Sequence, residues 1–213
     1  MSWILGNTDR LMDARFAAAA GAERLVLQMD AADPGAWNEI SGWVAGLDLW
    51  LLATPALAAV GPGFNEHFLE CKGIFCRDLV VWDAMEGLFD GPAMQDLGWA
   101  FELSPDVLGR IRSRGGWGPR RPDWMVMDPW AVEPDDTALI KTGSGPNMPW
   151  FALVPVNQEA DEGSVQRLSQ RLDVLAEKTG SACAGLYFQA TPGQDADYVR
   201  VEDWVQALED RFL

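Results

Sequence analysis

The sequence has one histidine, His67, and three cysteines, Cys71, Cys76 and Cys183. A single histidine excludes histidine-rich zinc sites. With no G-x-S-x-G elbow either, a Ser-His-Asp hydrolase is not expected. His67, Cys71 and Cys76 form no C-x₂-C pair and bring no fourth ligand, so no metal is assigned to them. Cys183 stands at the start of the last strand-like run, the wrong end for a nucleophile, and reads as core. A small odd cysteine count, and an N-terminus without a basic-then-apolar leader, fit a reduced, cytoplasmic setting. Long hydrophobic runs are missing too: none reaches the roughly 18 apolar residues of a membrane span. Positive charge is scarce. Lys plus Arg is 16 against 32 Asp plus Glu, a net charge of −16 over 213 residues. Such a field repels nucleic-acid backbones and anionic membranes, leaving a small molecule as the expected partner. An acidic chain can still hold a local basic pocket. The first strand-like run carries no G-x-G-x-x-G turn, which argues against an open doubly wound dinucleotide sheet.

What is present is a repeating grammar. Hydrophobic residues make up 48% and charged residues 23%, so the chain can fold, and its length suits one domain over residues 1–213. Short apolar runs occur at Trp3–Leu5, Arg24–Gln28, Leu47–Ala53, Asp78–Trp82, Gly98–Phe101, Trp124–Met127, Trp150–Val154 and Ala184–Phe188. Near-continuous apolar runs of this length read as strands buried on both faces, the mark of a parallel sheet. Helical patterns lie between many of them, over Asp9–Ala20, Pro34–Ala45, Pro105–Arg114, Asp161–Lys178 and Val201–Phe212. Ser104 before Pro105 is an N-cap followed by proline at the first helical position. The expected fold is therefore α/β, a single-domain (β/α)₈ barrel of eight parallel strands, with an open doubly wound sheet as the alternative. Residues 59–66, 86–95 and 114–122 are Gly/Pro-rich and read as loops. Residues 130–148 form a long loop after the sixth strand, on the face where barrels carry their sites.

The opening Trp3-Ile4-Leu5-Gly6-Asn7-Thr8, with Asp13-Ala14-Arg15 and Ala20-Gly21-Ala22, resembles the start of phosphoribosylanthranilate isomerase. That family opens with a lysine-isoleucine-cysteine-glycine-x-threonine strand, an Asp-Ala-Arg helix and an Ala-Gly-Ala turn. Met127-Asp128 is similar to its sixth strand, which ends in a catalytic aspartate. Thr142-Gly143-Ser144-Gly145, followed by Trp150, is similar to its glycine-threonine-glycine loop and later tryptophan. The resemblance implies a ribulose-phosphate-binding barrel, with Asp128 as the catalytic aspartate, acid or base, and Thr142, Gly143 and Gly145 near the ligand. The departures are chemical. Leu5 stands where the family has its cysteine base, and Trp3 where it has a lysine. Pro155-Val156 replaces a glycine pair whose N–H groups meet a phosphate; proline has no N–H. The standard isomerase reaction is thus expected to be lost, and no cofactor is implied.

Read as chemistry, the expected strand ends carry Asn7, Asp30, Thr54, Asp83, Glu102, Asp128 and Gln189. Carboxylates converging on one mouth must be protonated, paired or metal-bound. Two could serve general acid–base chemistry; three could hold a divalent cation; Asp30 and Glu102 could instead cap the helices that follow. Trp130, in the loop after Asp128, is placed to stack on a ring or sugar, so a small glycosidase is a further alternative. Trp82, Trp99, Trp124 and Trp150 read as core. No lysine or arginine ends a strand, so neighbouring acids and shielding by Trp130 are expected to raise the Asp128 pKa. Two functions compete. One is isomerase- or lyase-type chemistry on a small phosphorylated or aromatic metabolite. The other is a non-catalytic barrel binding a metabolite or a protein.

Overall fold

Strands that are apolar on both faces need cover on both, and this chain supplies it by closing its sheet. In the computed structural model, which describes residues 2–28, 34–44, 46–56, 71–89, 96–118, 121–133, 148–191 and 197–212, eight strands run in chain order. They are β1 (Ser2–Thr8), β2 (Arg24–Leu27), β3 (Asp48–Leu52), β4 (Gly73–Cys76), β5 (Gly98–Leu103), β6 (Trp124–Met127), β7 (Trp150–Pro155) and β8 (Cys183–Gln189). Each pairs in parallel with the next, and β8 returns to β1, giving a closed barrel. Six helices lie among the described residues: α1 (Leu11–Ala19), α2 (Pro34–Trp43), α3 (Leu79–Phe89), α4 (Pro105–Arg114), α5 (Glu162–Thr179) and α6 (Tyr198–Phe212). The expected (β/α)₈ architecture is the observed one. No described helix is long and apolar enough to cross a membrane.

Strand alternation splits the core in two. The inward positions fill the barrel with aromatic rings, Trp50, Phe75, Trp124, Phe151 and Tyr187 among them. Rings this large need missing side chains beside them. A Cβ at Gly73 would lie 2.4 Å from the Trp50 ring, and one at Gly98 2.5 Å from it. The outward positions, including Trp3, Leu5, Leu25 and Leu27, pack in a second cluster with helix residues such as Ala14, Ala17 and Trp37. There Trp82 meets Trp99 and Phe101 edge-on, at 5.9 and 5.4 Å. Most of the tryptophan excess is thus spent on packing.

One strand lies elsewhere than the apolar pattern placed it. Asp78–Trp82 is not the fourth strand but the start of α3, and β4 is Gly73–Cys76, just before it. Asp78 begins the helix: its Oδ1 accepts the Val80 N–H at 2.7 Å, and its carbonyl accepts the Trp82 N–H at 2.9 Å. Leu79, Val81 and Trp82 of the run, and Met85 beyond it, are buried on one helical face while Val80 is 58% exposed. A strand covered on both faces would have buried Val80 as well. The helix ends elsewhere follow their capping signals. Ser104 Oγ accepts the Val107 N–H at 3.3 Å, and Gly115 closes α4 at φ 79°. Asp161 caps α5 by accepting the Ser164 N–H at 2.9 Å.

Candidate functional site

Moving β4 changes what stands at its end. The residue that follows Cys76 is Arg77, so a cation does end a strand, contrary to the expectation from sequence. Phe75 faces the barrel axis, and alternation brings Arg77 to the same side one layer higher, at the C-terminal mouth. Its Nε lies 2.7 Å from Oε2 of Glu102 on β5, with the two side chains 26% and 17% exposed. Both atoms are buried, so this is a close ion pair shielded from solvent. Arg77 Nη2 donates to the Tyr187 hydroxyl at 3.4 Å, and its Cζ stands 5.7 Å from the Phe75 ring centre. Phe75 and Tyr187 stack at 5.3 Å and 11°, so the cation rests on an aromatic floor. Gly6 makes the floor possible: a Cβ there would lie 1.8 Å from the Tyr187 hydroxyl oxygen.

The electrostatics follow from depth. Burial raises the Glu102 pKa above the ordinary carboxylate value; Arg77 pulls it back, and Asp128 pushes it up again. Burial likewise raises the Tyr187 phenol, which stays protonated and can donate. Glu102 is not a helix cap. It lies inside β5, one residue before the strand's end.

The other expected site residues divide three ways. Asp128 follows β6, half-buried, close enough to Glu102 to act on its charge; its Oδ1 accepts the Trp130 N–H at 2.8 Å. Gln189 ends β8, in register with Gly6 on one side and Pro155 on the other. Asn7 is 3% exposed, with φ 64° and a buried Oδ1 that has no partner; the β1–β2 register slips at it. Trp130 is 51% exposed. It lines a cleft with Leu153, Arg167 and Trp204, over β7 and the helices that follow. Asp83 is displaced outright. It lies on α3, outside the barrel wall, paired with Arg114 at 2.7 Å. Asp30, Thr142, Gly143 and Gly145, with His67, lie outside the described residues. Among the described residues no three His, Cys, Asp or Glu side chains gather as a metal site.

Known proteins match this arrangement in fold alone. No protein-family model matches the chain, and no curated protein matches it. Among solved structures it is similar to phosphoribosylanthranilate isomerase from Pyrococcus furiosus, at 12% identity and TM-score 0.58, covering 99% of both chains. The chain has the (β/α)₈ fold of that isomerase. It is also similar to OMP decarboxylase of Leishmania donovani, at 13% identity and TM-score 0.53, covering 99% of this chain and 94% of the other. A type I 3-dehydroquinate dehydratase from Clostridium difficile matches at 10% identity and TM-score 0.54, over 99% and 91%.

The likeness to phosphoribosylanthranilate isomerase does not run residue by residue through β1. Leu5, aligned with the family's base, is fully buried in the outer cluster against the helices. The inward neighbours are Ile4, and Gly6 against Tyr187. Leu5 therefore offers no base to the mouth, for a reason of strand facing as well as residue type. Arg77 escaped sequence reasoning because Ile74-Phe75-Cys76 is a short run between Lys72 and Arg77. The signal that could have found it is Asp78, an N-cap that must end any strand before it.

Proposed function

We propose that the chain acts on a small anionic metabolite, phosphorylated or aromatic, by acid–base chemistry at the C-terminal mouth of the barrel. The standard isomerase activity is absent in this reading. The observation that carries it is the Arg77–Glu102 pair, 2.7 Å apart on the aromatic floor of Phe75 and Tyr187. Arg77 supplies positive charge in a strongly acidic protein, which is what draws an anion to one place. Glu102, with its pKa raised by burial, is suited to take up a proton and deliver it, as general acids do. Asp128 is the second carboxylate, and Gln189 and Asn7 contribute polar contacts at the rim. The fold supports such chemistry, since the isomerase, decarboxylase and dehydratase it resembles are enzymes on similar barrels.

The test is a melting-temperature screen of phosphorylated and aromatic anions on the wild type and on Arg77→Met. Ligands of the native state raise its melting point. A set of anions that stabilises the wild type and not the variant is the expected result; stabilisation indifferent to Arg77 sinks the proposal. Complementation of a tryptophan auxotroph lacking the isomerase is expected to fail. Robust growth would mean that another base serves.

A further inference from the structure

We propose that the ligand's anionic group is a carboxylate, that it takes the place of Glu102 on Arg77, and that Glu102 takes up one proton as it leaves. This rests on the reading of the mouth as a small-anion site and names the anion and its coupling. In the exchange, a free carboxylate plus the Arg77⁺–Glu102⁻ pair plus one proton gives a ligand carboxylate on Arg77⁺ and a neutral Glu102. Charge and protons balance, and no bond other than the O–H forms.

Three observations carry it. The guanidinium already holds a carboxylate through its Nε, at 2.7 Å, so a ligand carboxylate matches the group this cation pairs with. The pair is not sealed: the Arg77 side chain is 26% exposed and that of Glu102 17%, so part of the cation is open to solvent at the mouth. Once displaced, Glu102 faces Asp128 after β6 and the neutral Tyr187 hydroxyl from β8. Among the described residues Arg77 is the cation acting on it, so without Arg77 it favours the neutral form. The neutral acid so formed stands beside the bound ligand, where a general acid is needed.

A phosphate dianion fits less well. It would bring a second negative charge against Asp128. The turn after β7, where barrels of this shape commonly seat phosphate, is closed to anions in its described part. Arg200 donates there to the Asn157 carbonyl at 2.6 Å and pairs with Asp197 at 2.9 Å and Glu159 at 3.4 Å. Trp204 Nε1 donates to the Gln158 carbonyl at 2.8 Å. Asp161 and Asp203 line the same hollow.

Calorimetry with benzoate and phenyl phosphate, in two buffers of different protonation enthalpy, tests this. Benzoate is expected to bind the wild type with uptake of about one proton where Glu102 is ionised. Its affinity then falls about tenfold per pH unit above the Glu102 pKa, and levels off below it. Glu102→Gln should bind benzoate with no proton uptake and a flat pH profile, and Arg77→Met should not bind it. Benzoate binding that needs Arg77 but takes up no proton overturns the exchange and leaves the anion site standing. Preference for phenyl phosphate overturns the carboxylate assignment alone. Binding of neither compound, or binding unaffected by Arg77→Met in a folded variant, overturns the proposal and the anion site together.

Discussion

The two ends of the barrel interior use the same ingredients, an arginine, an acid and aromatic rings, wired in opposite senses. At the N-terminal end Arg24 lies over Trp124 and Phe151, at 5.2 and 5.4 Å, and pairs at 2.7 Å with Glu23, which is 41% exposed. The charge is turned outward, and the rings beneath it, Trp50 against Trp124 at 4.9 Å, form a plug. At the C-terminal end Arg77 pairs inward, with an acid that is 17% exposed. An outward pair is solvated and is worth little. The depth of an inward pair raises the pKa of its acid, even against the pull of its arginine. The contrast within one barrel is of packing below and a poised charge above, at the end where we propose that the function lies.

Breaking the plug should cost most. Trp124→Ala removes a 4%-exposed ring that touches Trp50, Phe75 and Phe151. Loss of about 3–5 kcal/mol is expected, from denaturant unfolding. A loss below about 1 kcal/mol would mean that the interior repacks freely. At the mouth, Gly6→Ala drives a methyl into Tyr187, 1.8 Å from its oxygen. The expected cost is about 1–3 kcal/mol, with weakened anion binding as Tyr187 is pushed off Arg77. Unchanged stability would show that the floor yields.

Glu102→Gln sharpens the comparison through pH, with a smaller effect. The folded pKa of Glu102 lies above the unfolded value near 4.5, so the folded state keeps the proton to higher pH. The stability this gives is complete below the unfolded value and is lost as pH rises through the folded one. The variant lacks that loss. Its melting temperature, relative to the wild type, should climb with pH across that window and then level off. A difference that falls with pH would mean that Arg77 outweighs burial.

Much of this was legible in the sequence, and the failures have physical causes. Seven strands declared themselves because a closed parallel sheet buries both faces, and runs such as Leu25-Val26-Leu27 are apolar throughout. The fourth did not. Ile74-Phe75-Cys76 is short and flanked by charge, while Leu79–Trp82 is richer in strand formers, yet its buried positions follow helical spacing. The count of eight survived the error, but the strand end moved from Arg77 to Asp83, and with it the sign of the charge at the mouth. Asp128 and Glu102 were legible because β6 and β5 were. Leu5 shows another limit: matching letters do not record which face of a strand they occupy, and the slip at Asn7 lies just beyond it.

The smallest expected effect tests that correction directly. Asp83 sits on α3, 46% exposed, with its Oδ1 2.7 Å from Arg114 Nη1. Arg114 does not depend on it, since the guanidinium also donates to the carbonyls of Gly116 and Trp117. Asp83→Asn keeps the shape and removes the charge. A pair this exposed contributes at most about 1 kcal/mol, which in a chain of this length is a melting shift of about 2–4 °C. Benzoate affinity and its pH profile should be unchanged, while Glu102→Gln alters both. If Asp83→Asn moved the pH profile, charge on the helix ring would be reaching the mouth through the barrel wall. The division between packing and poised charge would then fail, and the carboxylate that matters would have to be sought outside the barrel.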